Sequence, residues 1–190
     1  MKIPYIFYRC CPFFLKGIYG SYGKGSVIMH PLLIYNRKHI FIGENVRFRE
    51  GLRIEPITQH YAQQFNPNIM IEDNVRAEQY CQIICTNSVH IEKNVVISSF
   101  VFISDTEHTF DDINQNVLKQ PLKSSEVLIG EGAFLGIGVK ITQGARIGKH
   151  AVIGANSLVL HDIPDYCMAV GVPAKIIKKY NLDTKKWERV

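Results

Sequence analysis

His108 is the residue of this chain best placed to move a proton. It stands in Ser104-Asp105-Thr106-Glu107-His108-Thr109-Phe110, with the carboxylates of Asp105, Glu107 and Asp111 within three residues of it. An imidazole titrates near neutrality and can accept a proton from a reacting hydroxyl or amine. A neighbouring carboxylate or a main-chain carbonyl on the second ring nitrogen would fix its tautomer, and the sequence leaves that choice open. His60, in Gln59-His60-Tyr61-Ala62-Gln63-Gln64-Phe65, is the one rival in a comparable setting, whereas His150 and His161 lie in Gly-rich turn sequence and read as exposed. A second group able to do chemistry is the basic end. Lys175, Lys178, Lys179, Lys185, Lys186 and Arg189 oppose only Asp183 and Glu188, so the last sixteen residues carry +4 of the chain's +5. Such a cluster suits a phosphorylated small molecule. It lacks the interleaved aromatics of a single-strand binder, so no nucleic-acid partner is expected.

These groups need a scaffold, and the scaffold announces itself by period. Ile129, Leu135, Ile141, Ile147, Ile153 and Val159 stand six residues apart, and small residues (Ala133, Val139, Ala145, Ala151, Ser157) follow the first five by four places. A helix would place apolar residues three and four apart, and a solvent-faced strand would alternate by two. A period of six fits a short strand plus a turn, stacked as a solenoid. Ile42, Phe48 and Ile54, then Ile71, Ala77 and Ile83, then Ile91, Ile97 and Ile103 continue the phase upstream. Three such faces close one coil, which predicts four to five coils and a three-sided column on the order of 20–25 Å tall.

The period fails twice. The step from Ile54 to Ile71 is seventeen residues and the step from Ile103 to Ile129 is twenty-six, both through polar sequence. Both segments are expected to leave the column as loops, where binding groups collect on a rigid scaffold. His60 lies in the first and His108 at the entrance of the second.

At 190 residues the chain holds one sizeable core. The five cysteines show neither metal-site nor disulfide-framework spacing, so no metal is expected, and a reduced, cytoplasmic setting is the simplest reading. Cys81 is expected in a small core slot and Cys85 in a turn. Ile3 to Tyr19 is apolar but carries Arg9, Lys16, Pro4 and Pro12, too short and interrupted to span a bilayer. It reads as a cap over the open end of the solenoid, with contact at the inner face of a membrane as the sharper alternative.

The hexad run, the His108 loop and the ending Asp162-Ile163-Pro164-Asp165-Tyr166-Cys167-Met168-Ala169-Val170-Gly171-Val172-Pro173-Ala174-Lys175 together resemble the hexapeptide-repeat acyltransferases. Within them the chain resembles the branch of galactoside and maltose acetyltransferases and surface-polysaccharide O-acetyltransferases. The resemblance is strong from about Ile71 to Tyr180 and looser from Tyr22 to Pro67. It implies an all-β fold, a left-handed parallel β-helix over residues 22–175, with a cap segment over 1–21, a long loop after the catalytic His, and a short basic C-terminal helix over 176–190. It also implies a homotrimer with active sites between neighbouring columns and acetyl-CoA as co-substrate. His108 matches the family's catalytic base. Ile137, Ala155, Lys175 and Lys178 match coenzyme contacts, and the small Gly136, Gly138, Gly154 and Ala155 would let the pantetheine arm lie against the coils. An N–H near Gly136 or Ile137 would stabilise the oxyanion. Glu78 and Thr86 stand where the galactoside enzymes carry an Asn and an Asp that touch the sugar; with Asp105 they are the acceptor-side candidates.

The leading expectation is therefore an acetyl-CoA-dependent O-acetyltransferase acting on a sugar hydroxyl of a surface polysaccharide or its precursor. An N-acetyltransferase of a nucleotide-linked amino sugar, an antibiotic acetyltransferase of the same fold, and a non-catalytic solenoid scaffold are the alternatives.

Overall fold

The computed structural model describes residues 17–190, and most of the expected cap or membrane-contact segment lies outside the described residues. The described chain winds as a left-handed parallel β-helix with three faces. Parallel crossovers are ordinarily right-handed, so this winding is an exception. The first face is a six-stranded parallel sheet whose inward column runs Tyr22, Ile42, Ile71, Ile91, Ile129 and Ile147. The second stacks Ile28, Phe48, Ala77, Ile97, Leu135, Ile153 and Ala169. The third stacks Ile34, Ile54, Ile83, Ile103, Ile141 and Val159.

All fifteen inward positions named from the period have at most 2% of their surface exposed, so each hexad places one apolar side chain in a continuous core. Burying a side chain of this kind contributes about 1.5–3 kcal/mol. One coil precedes the first rung named from the period, inside the 22–175 span that the resemblance implies. Tyr22, Ile28 and Ile34 keep the six-residue step and pair with Ile42, Phe48 and Ile54. Tyr19 packs on Tyr22, ring centroids 5.3 Å apart, at that end of the core.

The corners follow from the same repeat. Each turn between the first and second faces holds one residue with positive φ, and Asn45, Asn74, Asn94 and Gly132 fill that place at +56° to +67°. Asn and Gly enter this region at least cost, which is why they recur there.

Two expectations are corrected. The C-terminal segment is not a helix. Lys175–Asn181 is a seven-residue strand running antiparallel to Cys167–Val170, and Lys186–Arg189 pairs back on it. The last strand of the column would otherwise present unpaired main-chain groups, and a strand rich in β-branched and aromatic residues (Ile176, Ile177, Tyr180) closes that edge. Asn181 Oδ1 accepts from the N–H groups of Asp183 and Thr184 to make the return turn, and Tyr180 meets Trp187 edge to face. Cys85 ends the strand Gln82–Cys85 and is fully buried, not part of a turn. Cys81 fills a core slot as expected.

Candidate active site

Both long excursions leave the prism at the same edge, between the third face and the first. The second begins at Asp105, whose side chain is wholly buried. Its Oδ1 accepts from Thr86 N–H at 2.8 Å, its Oδ2 accepts from Asn87 N–H at 2.7 Å, and the Cys85 thiol also donates to Oδ2 at 3.2 Å. Burial first, and the adjacent carboxylate second, push the Cys85 thiol above its ordinary range, so it stays a neutral donor. Asp105 and Thr86 were expected to touch the acceptor. Both are sealed from solvent with their polar atoms engaged by each other, so their work here is to root the loop. Glu107, the nearer carboxylate, is engaged by the amide of Gln143.

From that root the chain runs outward as the strand Thr106–His108, paired antiparallel with Leu122–Ser124. His108 lies opposite Leu122, half-buried. Its Nδ1 is buried and forms no hydrogen bond with any described residue, which leaves Nε2 as the nitrogen available for proton transfer. The loop beyond is ordered from within. Asn116 caps the short 3-10 turn Val117–Lys119, and the buried Gln120 amide donates to the carbonyls of Asp112 and Gln115 while its oxygen accepts from Asp112 N–H.

The first excursion folds over onto this loop. It forms a small hairpin, Gln59–His60 with Gln63–Gln64. The Gln63 side chain mimics a strand partner: its amide donates to Leu122 O at 3.1 Å and its oxygen accepts from Leu122 N–H at 2.7 Å. His60 Nε2 lies 3.0 Å from Gln120 O, and its ring meets that of His108 at 5.4 Å between centroids, inclined 70°. The two histidines that read as rivals in sequence are neighbours in space. The signal was present in the period: both breaks fall after a third-face residue (Ile54, Ile103) and before a first-face residue (Ile71, Ile129), which puts them on one edge. Gln63 and Gln120 left no such mark, since an exposed glutamine and a bracing one read alike.

The positions expected to hold a coenzyme form a ridge at a different edge, between the second and third faces. Gly136-Ile137 and Gly154-Ala155 lie on successive coils. Gly136 N–H donates to Ile153 O at 2.8 Å and Gly154 N–H to Ala169 O at 2.9 Å. A Cβ on Gly136 would sit 2.7 Å from Ala155 N, and one on Gly154 would sit 2.6 Å from a Val170 methyl. Stacking of the coils thus already demands glycine at both places. The Gly136 amide is committed to the next coil, so it is not available to an oxyanion. The amides of Ile137 and Ala155 bond to no described residue, and both side chains are exposed, Ile137 by 48%. Lys175 and Lys178 follow on the strand Lys175–Asn181, neither within ion-pair distance of a carboxylate among the described residues. Glu78 stands on the same ridge two coils from Gly136 and accepts from Arg49 Nη1 at 3.0 Å.

A chain with this prism, an imidazole on one edge and a small-residue ridge on another belongs, by fold and by sequence, to the hexapeptide-repeat acyltransferases. The family profile described as bacterial transferase hexapeptide (six repeats) matches residues 126–161. Among relatives, the Escherichia coli K12 protein assigned to lipopolysaccharide biosynthesis as the O-acetyl transferase WbbJ is 37% identical over 175 residues, covering 88% of this chain and 86% of its own. The structure of galactoside acetyltransferase in complex with coenzyme A superposes with a TM-score of 0.53 at 25% identity, over 85% of this chain and 68% of that one. The N-acyltransferase AntD from Bacillus cereus, in complex with dTDP and 3-hydroxybutyryl-CoA, superposes at 0.75 with 20% identity, over 93% and 92%. That last likeness speaks to fold.

Proposed function

We propose that this chain transfers an acetyl group from acetyl-CoA to a sugar hydroxyl of a surface polysaccharide or its precursor. The observation that carries the reading is the half-buried imidazole of His108, held at the mouth of two interlocked excursions on a coenzyme-binding type of prism. In this reading His108 Nε2 takes the hydroxyl proton as the sugar oxygen attacks the thioester carbonyl. The unpaired Ile137 and Ala155 amides hold the coenzyme's polar groups or the developing oxyanion, and the Lys175 and Lys178 ammonium groups meet its phosphates. The thiolate of coenzyme A then leaves with the acetyl carbon transferred to oxygen, and no covalent enzyme intermediate is required. Glu78, with one carboxylate oxygen engaged by Arg49, retains capacity to accept a bond from an acceptor hydroxyl.

The base and the ridge lie on different edges of one prism. A complete site therefore forms between copies, which supports a homotrimer in which the base of one chain faces the ridge of its neighbour. The relative assigned to lipopolysaccharide biosynthesis supports a carbohydrate hydroxyl as acceptor and, with it, work at the inner side of the membrane where such precursors are built.

His108→Ala should lower turnover about 10²–10⁴-fold in an assay of thiol release from acetyl-CoA, with the melting temperature unchanged. An acceptor screen spanning neutral sugars, amino sugars and nucleotide-linked amino sugars tests the transfer to oxygen. Acetylation confined to amines would overturn it, and so would activity of the alanine variant near that of the parent.

A further inference from the structure

We infer that His60 is a positioning residue for His108, so that the base is oriented by a second imidazole and not by a carboxylate or carbonyl. The inference rests on the reading of His108 as the base. An imidazole base is ordinarily fixed by an acceptor on its second nitrogen. Here that device is missing: His108 Nδ1 is buried with no hydrogen bond to a described residue, Asp105 is turned into the prism, and Glu107 is engaged by Gln143. What meets the ring is His60, at 5.4 Å and 70°, in the edge-to-face range that aromatic pairs favour.

His60 is itself held on two sides. A carbonyl oxygen can only accept, so Nε2 of His60 carries the proton and donates to Gln120 O at 3.0 Å. Tyr61 meets the same ring at 4.9 Å and 86°. Gln120 is buried and braced through its side chain to three main-chain groups of the loop, and Gln63 pins the hairpin to Leu122, the residue opposite His108. The fixed point is thus the loop interior, and the restraint reaches the base through ring packing. His60 touches no reacting atom in this account.

The test separates ring from donor. His60→Ala removes both, His60→Phe keeps a ring without the donor, and His60→Gln keeps a donor to Gln120 without the ring. Each is compared with the parent enzyme and His108→Ala for kcat, for KM with acetyl-CoA, and by ring-carbon NMR relaxation that reports the order of the His108 ring. A misplaced base costs on the order of 10–100-fold in rate. The expected result is that loss in kcat for His60→Ala and His60→Gln, KM for acetyl-CoA unchanged, increased motion of the His108 ring, and recovery of most of the rate and of the ring's order in His60→Phe. A His60→Ala enzyme with the parent's kcat and His108 ring order would overturn the inference, as would a His60→Phe enzyme as slow as the alanine variant. If His60→Ala misfolds, the phenylalanine and glutamine pair decides alone. A loss of rate in His108→Ala alone leaves the base in place and refutes only the role of His60; full activity in His108→Ala refutes the base itself.

Discussion

Two residues separate Asp105 from His108, and the two side chains face opposite ways. The Asp105 carboxylate is sealed in the prism on two main-chain N–H groups and a thiol, while His108 stands half-exposed on the strand that Asp105 roots. His108 could be named from sequence because it sits where a strict period fails. Asp105 could not be placed, since adjacency in sequence does not tell burial from exposure. Asp105→Ala should strand the Thr86 and Asn87 amides without partners and lower stability by about 1–3 kcal/mol, read by urea unfolding; unchanged stability would contradict its rooting role. Burial alone pushes the Cys81 thiol up to about 12 from an ordinary 9.0. Below the lower value the thiol is neutral in both folded and unfolded chains. Above it the unfolded chain ionises first, so the stability this thiol contributes is lost as pH rises from 9 toward 12. The melting temperature of the parent should therefore fall more steeply across that range than that of Cys81→Ala, and parallel curves would contradict the assignment.

The strands taught the opposite lesson about what a sequence exposes. One aliphatic every six residues is a strong signal because each such side chain lands in the same column, so the register survives even where a turn lengthens. The coil through Tyr22, Ile28 and Ile34 lies within the 22–175 span the resemblance implies, but the period alone does not mark it, since its step to the next rung is eight residues and its leading member is a tyrosine. The C-terminal hairpin is not legible in residues 176–190, because a run of lysines carries no period; the deciding fact, an open sheet edge at Cys167–Val170, exists only in three dimensions. Ile103→Ala should cost about 2–5 kcal/mol, the ordinary penalty for emptying a packed rung, whereas Gln63→Ala should leave global stability nearly unchanged. It should instead speed hydrogen exchange of the Leu122 amide and raise KM for the acceptor. Unaltered exchange at Leu122 would show that the two excursions are not locked by that side chain.

An imidazole with its interlocked loops stands on one edge of the prism and the Ile137–Ala155 ridge with its lysines on another, and the proposed reading joins them between copies. The resemblance already implied sites between neighbouring columns; what the fold adds is the pair of edges on which the two sets stand. Lys175→Ala with Lys178→Ala should weaken acetyl-CoA binding roughly 5–10-fold while leaving the chemical step intact, measured by calorimetry and single turnover. The sharpest measurement mixes two inactive proteins, His108→Ala and a ridge-blocking Ala155→Trp, after reversible dissociation and reassembly. Sites that pair the intact imidazole of one copy with the intact ridge of the other should restore roughly a quarter of parental activity in randomly mixed trimers. Mixed trimers seen by native mass spectrometry with activity no higher than that of the two parents would contradict a site shared between copies.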